Sequence, residues 1–358
     1  MKAAYYYGIS DLRVEEASVP AITTDELLIR IVACAVCGTD NRIYKFGHFK
    51  IPRGVKRVLG HETFGEVAQV GAAVRGFAIG DRVAIAPNIG CGSCHMCRQG
   101  FNQLCPTYEA FGISLDGGFA EYMKVPAAAL GNVAKVPDAV SDEEAVLIEP
   151  LSCVFNAYEA HRTVPGDTVL IIGAGPIGAL HVMLNKLAGG RIIVADIAET
   201  RLREMEKYGA DVLIHSSEVD LKQEMARITE GRGADVVITA CSVPAMQALA
   251  LEIAGCHGRV SLFGGMPKEK ENVILNTNLI HYKELFVTAT TGSSLQDFHS
   301  ALRILSSGQI SAAGLVTARF SLEETAAAFD YAAQGVGLKA LVMPSPKAPA
   351  RAAPGGKA

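Results

Sequence analysis

The chain has 358 residues, with 33 Lys plus Arg against 37 Asp plus Glu and a formal charge of -4, and at roughly 150 residues per domain it is long enough for about two domains. This charge gives no bulk attraction to nucleic acid or an anionic membrane. With 49% hydrophobic and 20% charged residues the composition is globular, which excludes wholesale disorder and fibrous repeats, so the expected partners are small molecules and further copies of the chain.

Residues 1–8 carry three tyrosines and no long apolar run, so no secretory signal is expected and the chain is assigned to the cytoplasm. Up to about residue 140, short extended runs at 26–33, 65–70 and 81–86, broken by Gly, Pro and Asp, predict a β-rich domain. After Pro165-Gly166-Asp167 the texture changes. Apolar runs at 168–172, 191–195, 212–214, 234–239 and 258–263 alternate with helical stretches from Ile177, from Glu199 and over 245–253. Apolar strand, helix and apolar strand in alternation predict an α/β fold, a parallel sheet with helices on its faces. A helix is expected over 295–305, and the tail 344–358, rich in Ala, Pro, Gly and Lys, is expected to be disordered. The longest apolar stretch, 169–184, is interrupted by Gly173, Gly175, Pro176, Gly178 and His181 and falls short of the roughly 18 apolar residues of a spanning helix.

The expected strand 168–172 runs into Gly173-Ala174-Gly175-Pro176-Ile177-Gly178. In such a run the first glycine permits a tight turn, the second lets backbone approach a pyrophosphate and the third lets helix and strand touch. The helix N-terminus then offers N–H groups and a positive dipole end to the phosphates. Asp196, closing the next expected strand about twenty residues on, can accept from the adenosine ribose hydroxyls and would repel a 2′-phosphate, so NAD is expected over NADP. Arg201 lies along the adenine, pairs with a carboxylate or faces solvent, and leaves room for NADP.

Four of the nine cysteines, Cys91, Cys94, Cys97 and Cys105, fall within one short segment as CxxCxxCx7C. Thiolates at these spacings can close around one tetrahedral zinc with no open position, a structural site. The same ligands suit an iron–sulfur cluster as the alternative. A second set is dispersed: Cys37 in Cys37-Gly38-Thr39-Asp40, His61 and Glu62 in Gly60-His61-Glu62, and Glu149 before Pro150. One thiolate, one imidazole and one or two carboxylates suit an open zinc site, although each residue type is commoner in a core or on a surface than as a ligand.

These motifs, with Gly65 and Gly71, follow the order and approximate spacing of the zinc-dependent medium-chain dehydrogenases, which the chain resembles over about residues 1–343. Within that superfamily it looks most similar to the polyol branch, the sorbitol or L-iditol 2-dehydrogenase-like proteins, with threonine 3-dehydrogenase as a near relative. The resemblance implies a GroES-like catalytic domain over 1–150 and 291–343 that contains the zinc lobe at about 88–107. It further implies a Rossmann coenzyme domain over 151–290, an active site in the cleft between the two, and a homodimer or homotetramer. It implies two zinc ions per chain, the catalytic one held by Cys37, His61 and Glu62 with Glu149 as a fourth ligand or near neighbour. The reaction so implied oxidises a secondary alcohol of a polyol, sugar or cyclitol to a ketone with NAD. The alternatives are an amino alcohol or sugar phosphate as substrate and, more remotely, a dinucleotide-binding protein without turnover.

Thr39 matches the family's proton-carrying Ser or Thr, while capping of the adjoining helix is its structural alternative. Where many relatives carry histidine five residues after the metal-binding cysteine, this chain has Arg42, which cannot act as an ordinary acid or base. His48, water or a ribose hydroxyl are then the candidates for the relay. Residues 45–57 contain Lys45, Lys50, Arg53, Lys56 and Arg57 and no acidic residue, which reads either as a solvated loop or as an attraction for an anionic substrate. Phe111 and the Thr290-Thr291 segment are candidates for the substrate cleft, with the core as the alternative place for Phe111.

Overall fold

The computed structural model describes residues 1–344, so most of the expected tail lies outside the described residues. The chain divides into two compact units. The first comprises Met1–Cys91, Pro106–Leu147 and the described residues from Val316 onward; the second comprises Gly92–Cys105 and Ile148–Leu315.

The first unit is built on a seven-stranded sheet. Its central strand Leu27–Ala35 pairs antiparallel with Glu62–Val70 and with Tyr122–Val125, and through Ala35 and Cys34 with Lys339–Met343. Val316–Ser321 lies parallel to Lys339–Met343 at one edge, and Arg82–Ile85 and Val133–Lys135 complete the other. Eight of the nine residues of Leu27–Ala35 are buried, as expected of a strand covered on both faces rather than one alternating between core and water. The core beneath it holds Ile29, Ile31, Phe111, Phe119, Phe329 and Val342. Phe111 is 1% exposed, so it is a core residue and not part of a cleft.

The second unit is a six-stranded parallel sheet in the order Val212–His215, Arg191–Asp196, Thr168–Ile172, Ala234–Thr239, Ala254–Ser261, Phe286–Thr288. Thr168–Ile172 is buried throughout, and the chain departs from its centre in both directions, which makes its carboxyl end the switch point where such sheets bind ligands. The sixth strand was not among the sequence expectations: three residues between a polar helix and a loop give too short a pattern to read.

The division differs from the expected one in three places. The second unit begins at Ile148, so Glu149 belongs to it; the first unit resumes at Val316 rather than at 291; and the lobe segment Gly92–Cys105, expected in the first domain, goes with the second unit, where Leu295 N–H donates to Asn102 Oδ1 at 3.0 Å. The physical reason lies in the helix Leu295–Ser306, whose buried side Phe298, Ala301, Leu302 and Leu305 packs against the helix Ile148–His161. Among the described residues no helix is long and apolar enough to cross a membrane.

Candidate functional site

The strand Leu27–Ala35 ends one residue short of Cys37, and the helix Gly38–Phe46 starts immediately after that cysteine. Cys37 is the N-cap, and its N–H donates to Asp40 Oδ2 at 2.9 Å. Thr39 therefore does not cap this helix; it stands half-buried in the first turn. The neighbouring strand opens with Glu62, so its register with Leu27–Ala35, Ala35 opposite Glu62, carries Gly60-His61-Glu62 up to the cysteine.

The donor atoms of Cys37, His61 and Glu62 lie within 4.8 Å of one another. His61 is 7% exposed and Glu62 1%. Sulfur, nitrogen and oxygen donors converging below the surface, with coordination positions left over, are what an open zinc site needs, and the residues fit the ion that the sequence implies. Two further side chains support them. Asp40, fully buried, accepts from Gly60 N–H at 3.2 Å and stands 3.4 Å from His61 Nδ1, which leaves Nε2 as the ring nitrogen for a metal. Burial opposes a charge on His61, yet the neighbouring Asp40 carboxylate and Cys37 sulfur hold its pKa well above the usual histidine value. Lys339, 4% exposed, donates to Glu62 Oε1 at 2.6 Å and is the same distance from Oε2, which has no hydrogen bond.

Sequence reasoning missed both supports. Asp40 stood inside the quoted Cys37 motif, and its offset of three from an N-cap was the available signal. Lys339 carries no local signal at all, because 277 residues separate it from Glu62.

In the lobe, the sulfurs of Cys91, Cys94, Cys97 and Cys105 also lie within 4.8 Å of one another. Their exposure runs from the open Cys91 to the buried Cys105, and Cys94 Sγ accepts from Cys97 N–H at 3.4 Å as cap of the short helix His95–Arg98. No disulfide joins any of the nine cysteines. Four sulfurs with backbone N–H support suit a closed tetrahedral ion.

In the second unit Gly173 has φ +118°, a conformation that favours glycine, and a Cβ on Gly178 would meet Gly173 O at 1.9 Å, so helix and turn can touch only because residue 178 is glycine. A Cβ on Gly175 would meet nothing within 4 Å, open space where backbone can approach a phosphate. Pro176 is the first residue of the helix Pro176–Leu187 and Ile177 follows it, an N-terminus suited to an anion. Asp196, at the end of its strand, accepts from Ala174 N–H at 2.7 Å and Ala198 N–H at 2.8 Å, so one carboxylate ties the glycine turn to the start of the next helix. Arg201 is half-buried on that helix, Glu199–Met205.

Glu149 opens the helix Ile148–His161, where Cys153 Sγ is 3.6 Å from its Oε1. The same helix anchors the segment around Thr290-Thr291: Ser152 Oγ is 2.7 Å from Ser293 Oγ, and Asn156 Nδ2 donates to Gly292 O at 2.9 Å. The Thr290 hydroxyl is buried and has no hydrogen-bond partner among the described residues. In the basic stretch, Lys50 donates to the Tyr108 carbonyl and lies over its ring at 3.7 Å. Lys56 is 3.3 Å from Glu15, and Arg57 3.0 Å from Asp116. Lys45, Arg53 and Arg42 are exposed. Local partners thus take up Lys50, Lys56 and Arg57, and the field available to an anionic substrate is smaller than the sequence suggested. His48 stacks on Phe49 and accepts from Lys50 N–H at 3.2 Å through Nδ1; burial, with Lys50 and Arg42 nearby, lowers its pKa.

Residues 23–138 match the alcohol dehydrogenase GroES-like domain, and residues 176–307 match the zinc-binding dehydrogenase family. Sorbitol dehydrogenase of Bacillus subtilis is 34% identical over 352 residues, covering 96% of this chain and 98% of that protein. L-threonine 3-dehydrogenase of Pyrococcus abyssi is 35% identical over 324 residues, covering 89% and 90%. Among solved structures, a zinc-binding dehydrogenase of Sinorhizobium meliloti bound to NADP superposes with a TM-score of 0.88 at 31% identity, covering 96% and 99%. An alcohol dehydrogenase of Escherichia coli complexed with NADH gives 0.87 at 31%, with the same coverage. The chain belongs to the zinc-dependent medium-chain dehydrogenases; it is an oxidoreductase that uses zinc and a nicotinamide cofactor.

Proposed function

We propose that this chain oxidises a secondary alcohol of a polyol, sugar or cyclitol to a ketone with NAD, carrying two zinc ions per chain and working as a homodimer or homotetramer in the cytoplasm. The observation that carries the reading is the convergence of half-buried Cys37 with buried His61 and Glu62, with Asp40 and Lys339 behind them. When bound, the zinc supplies Lewis acidity that lowers the pKa of a hydroxyl, and the nicotinamide accepts a hydride. Cys37 and His61 would hold the ion. Glu62, already balanced by Lys339, is the carboxylate of the group, and Glu149, outside that group, is a fourth ligand or near neighbour only by family resemblance.

Asp40 fixes the helix start and the His61 ring, so two ligands are oriented by one carboxylate. Thr39, two residues after Cys37, is the hydroxyl placed to take up the departing proton. Arg42 is exposed and permanently charged and cannot pass it on. His48 is neutral near pH 7, and because Nδ1 accepts from Lys50 N–H its proton sits on Nε2. NAD is favoured over NADP because two N–H donors hold the Asp196 carboxylate beside the glycine turn, where a 2′-phosphate would be repelled. Similarity to a threonine dehydrogenase as strong as to a sorbitol dehydrogenase keeps an amino alcohol as the second reading. A sugar phosphate is disfavoured by the pairing of Lys50, Lys56 and Arg57.

The test is NADH formation over a panel of polyols, cyclitols, amino alcohols and sugar phosphates, with metal analysis of the wild type and Cys37→Ser. The expected result is about two zinc ions per chain falling to about one, with activity lost by roughly a thousandfold or more. Full activity in Cys37→Ser overturns the reading.

A further inference from the structure

The second unit contains a polar cluster in which no step of the reaction has a part. His161 closes the helix Ile148–His161, and His181 and Asn185 lie one turn apart on Pro176–Leu187. His161 is 1% exposed, and His181 and Asn185 are fully buried. Asn185 Nδ2 donates to the His181 carbonyl at 2.8 Å, which fixes its Oδ1 as an acceptor; that oxygen receives the Thr163 hydroxyl at 2.5 Å and His161 Nε2 at 3.1 Å. His161 therefore carries its proton on Nε2 and is unprotonated at Nδ1.

Among the described residues His161 Nδ1 and both ring nitrogens of His181 have no hydrogen-bond partner. The imidazoles face aromatic edges: Phe263 stands at 4.8 Å from the His181 ring, Tyr158 at 5.8 Å from His161, and the two imidazoles are 6.4 Å apart. The charged groups about them are already spent on each other. Arg259 donates to the carbonyls of His161 at 3.3 Å and Arg162 at 2.6 Å and to Asp167 at 2.8 Å, and Asp167 also receives Val164 N–H. Burial is the largest influence on His161 and Arg259 adds to it, while the Asn185 side chain, the Ala157 carbonyl and Asp167, itself bound to Arg259, oppose them only in part; a buried charge so weakly compensated is costly.

We propose that His161 and His181 form an acid-sensitive lock in the dinucleotide-binding unit: the helix Pro176–Leu187 stays seated only while both rings are neutral, and their protonation releases it together with the glycine turn at its N-terminus. Burial is the main cause that pushes His161 down to about 4, and burial with His161 nearby lowers His181 well below the ordinary value of 6.5. The unfolded segment binds both protons near pH 6.5 and the seated one does not, so stability is complete above that pH and drains as pH falls from 6.5 toward 4. Each histidine lowers the closing constant up to tenfold per pH unit, about 300-fold for His161 over the whole window. A dinucleotide bound at the turn opposes the release; this clause rests on the proposed reading of the glycine turn, and the acid sensitivity does not.

The experiment is hydrogen exchange by mass spectrometry on the zinc-loaded full chain at pH 7.5, 6.5 and 5.5, corrected for intrinsic rates, with and without saturating NADH. Peptides over 148–161 and 176–187 are compared with 27–35 and 62–70 in the first unit. The expected result is opening of 176–187 that rises tenfold or more from pH 6.5 to 5.5 in the wild type. In H161Q/H181L that rise is largely removed, and in His181→Gln alone it is about halved on a logarithmic scale. The readout is the slope with pH, so a uniformly weaker variant still answers. The wild-type slope surviving in the double variant overturns the lock. Loss of the slope in the double variant without protection by NADH supports the lock and counts against the dinucleotide reading of the turn.

Discussion

In both metal groups the donor atoms lie within 4.8 Å of one another, yet the two are built by opposite means. The lobe draws four like ligands from one short segment, and its support is backbone, as in the N–H of Cys97 on Cys94 Sγ. The Cys37, His61 and Glu62 group draws unlike ligands from a helix start and a strand start, and its support is buried charge, Asp40 on one side and Lys339 on the other. A closed site needs only ligands at the right spacing. An open site must hold its ligands against a position they do not fill, and that task falls to residues behind them.

The comparison breaks hardest at Lys339. Lys339→Met leaves Glu62 as an uncompensated buried carboxylate and is expected to destabilise the first unit by about 3–5 kcal/mol. Urea unfolding of the single variant and of Lys339→Met with Glu62→Gln checks this, because the double variant should recover most of the loss. Asp40→Asn is next: it keeps the shape and removes the charge facing His61, and a 10–100-fold drop in zinc affinity at the open site, about 1.4–2.7 kcal/mol, is expected by chelator competition, with the lobe ion retained. The smallest effect is expected in the lobe. His95 is exposed and outside the four-sulfur group, so His95→Ala should change stability by less than about 0.5 kcal/mol and leave the zinc content unaltered. A large effect there would show that the lobe, too, depends on side-chain support.

The coenzyme strands were legible because each is a short apolar run bounded by turn residues. The expected 168–172, 191–195 and 234–239 stand within a residue of Thr168–Ile172, Arg191–Asp196 and Ala234–Thr239. The end of the second unit was not. Leu295–Ser306 is an amphipathic helix by pattern, and nothing in a pattern says which surface receives its apolar face, so its seat on Ile148–His161 appeared only in the fold. The basic stretch shows the same limit: five cations near one another in sequence read as a field, whereas Glu15, Asp116 and Tyr108 arrive from elsewhere to take up three of them.

By itself the sequence determined what local geometry and covalent spacing control: the glycine turn, the four-sulfur lobe, and the alternation that makes a parallel sheet. Those features answer to a few neighbouring residues, through backbone freedom at Gly173 and Gly178 or the reach of a thiolate across two residues. Only the tertiary structure decided which distant charges meet. The pairing of Glu62 with Lys339, the cluster of His161, His181 and Asn185, and the point where the chain returns to its first unit all depend on sheet register and helix packing. Both arise from burial summed over the whole core, which no single segment encodes.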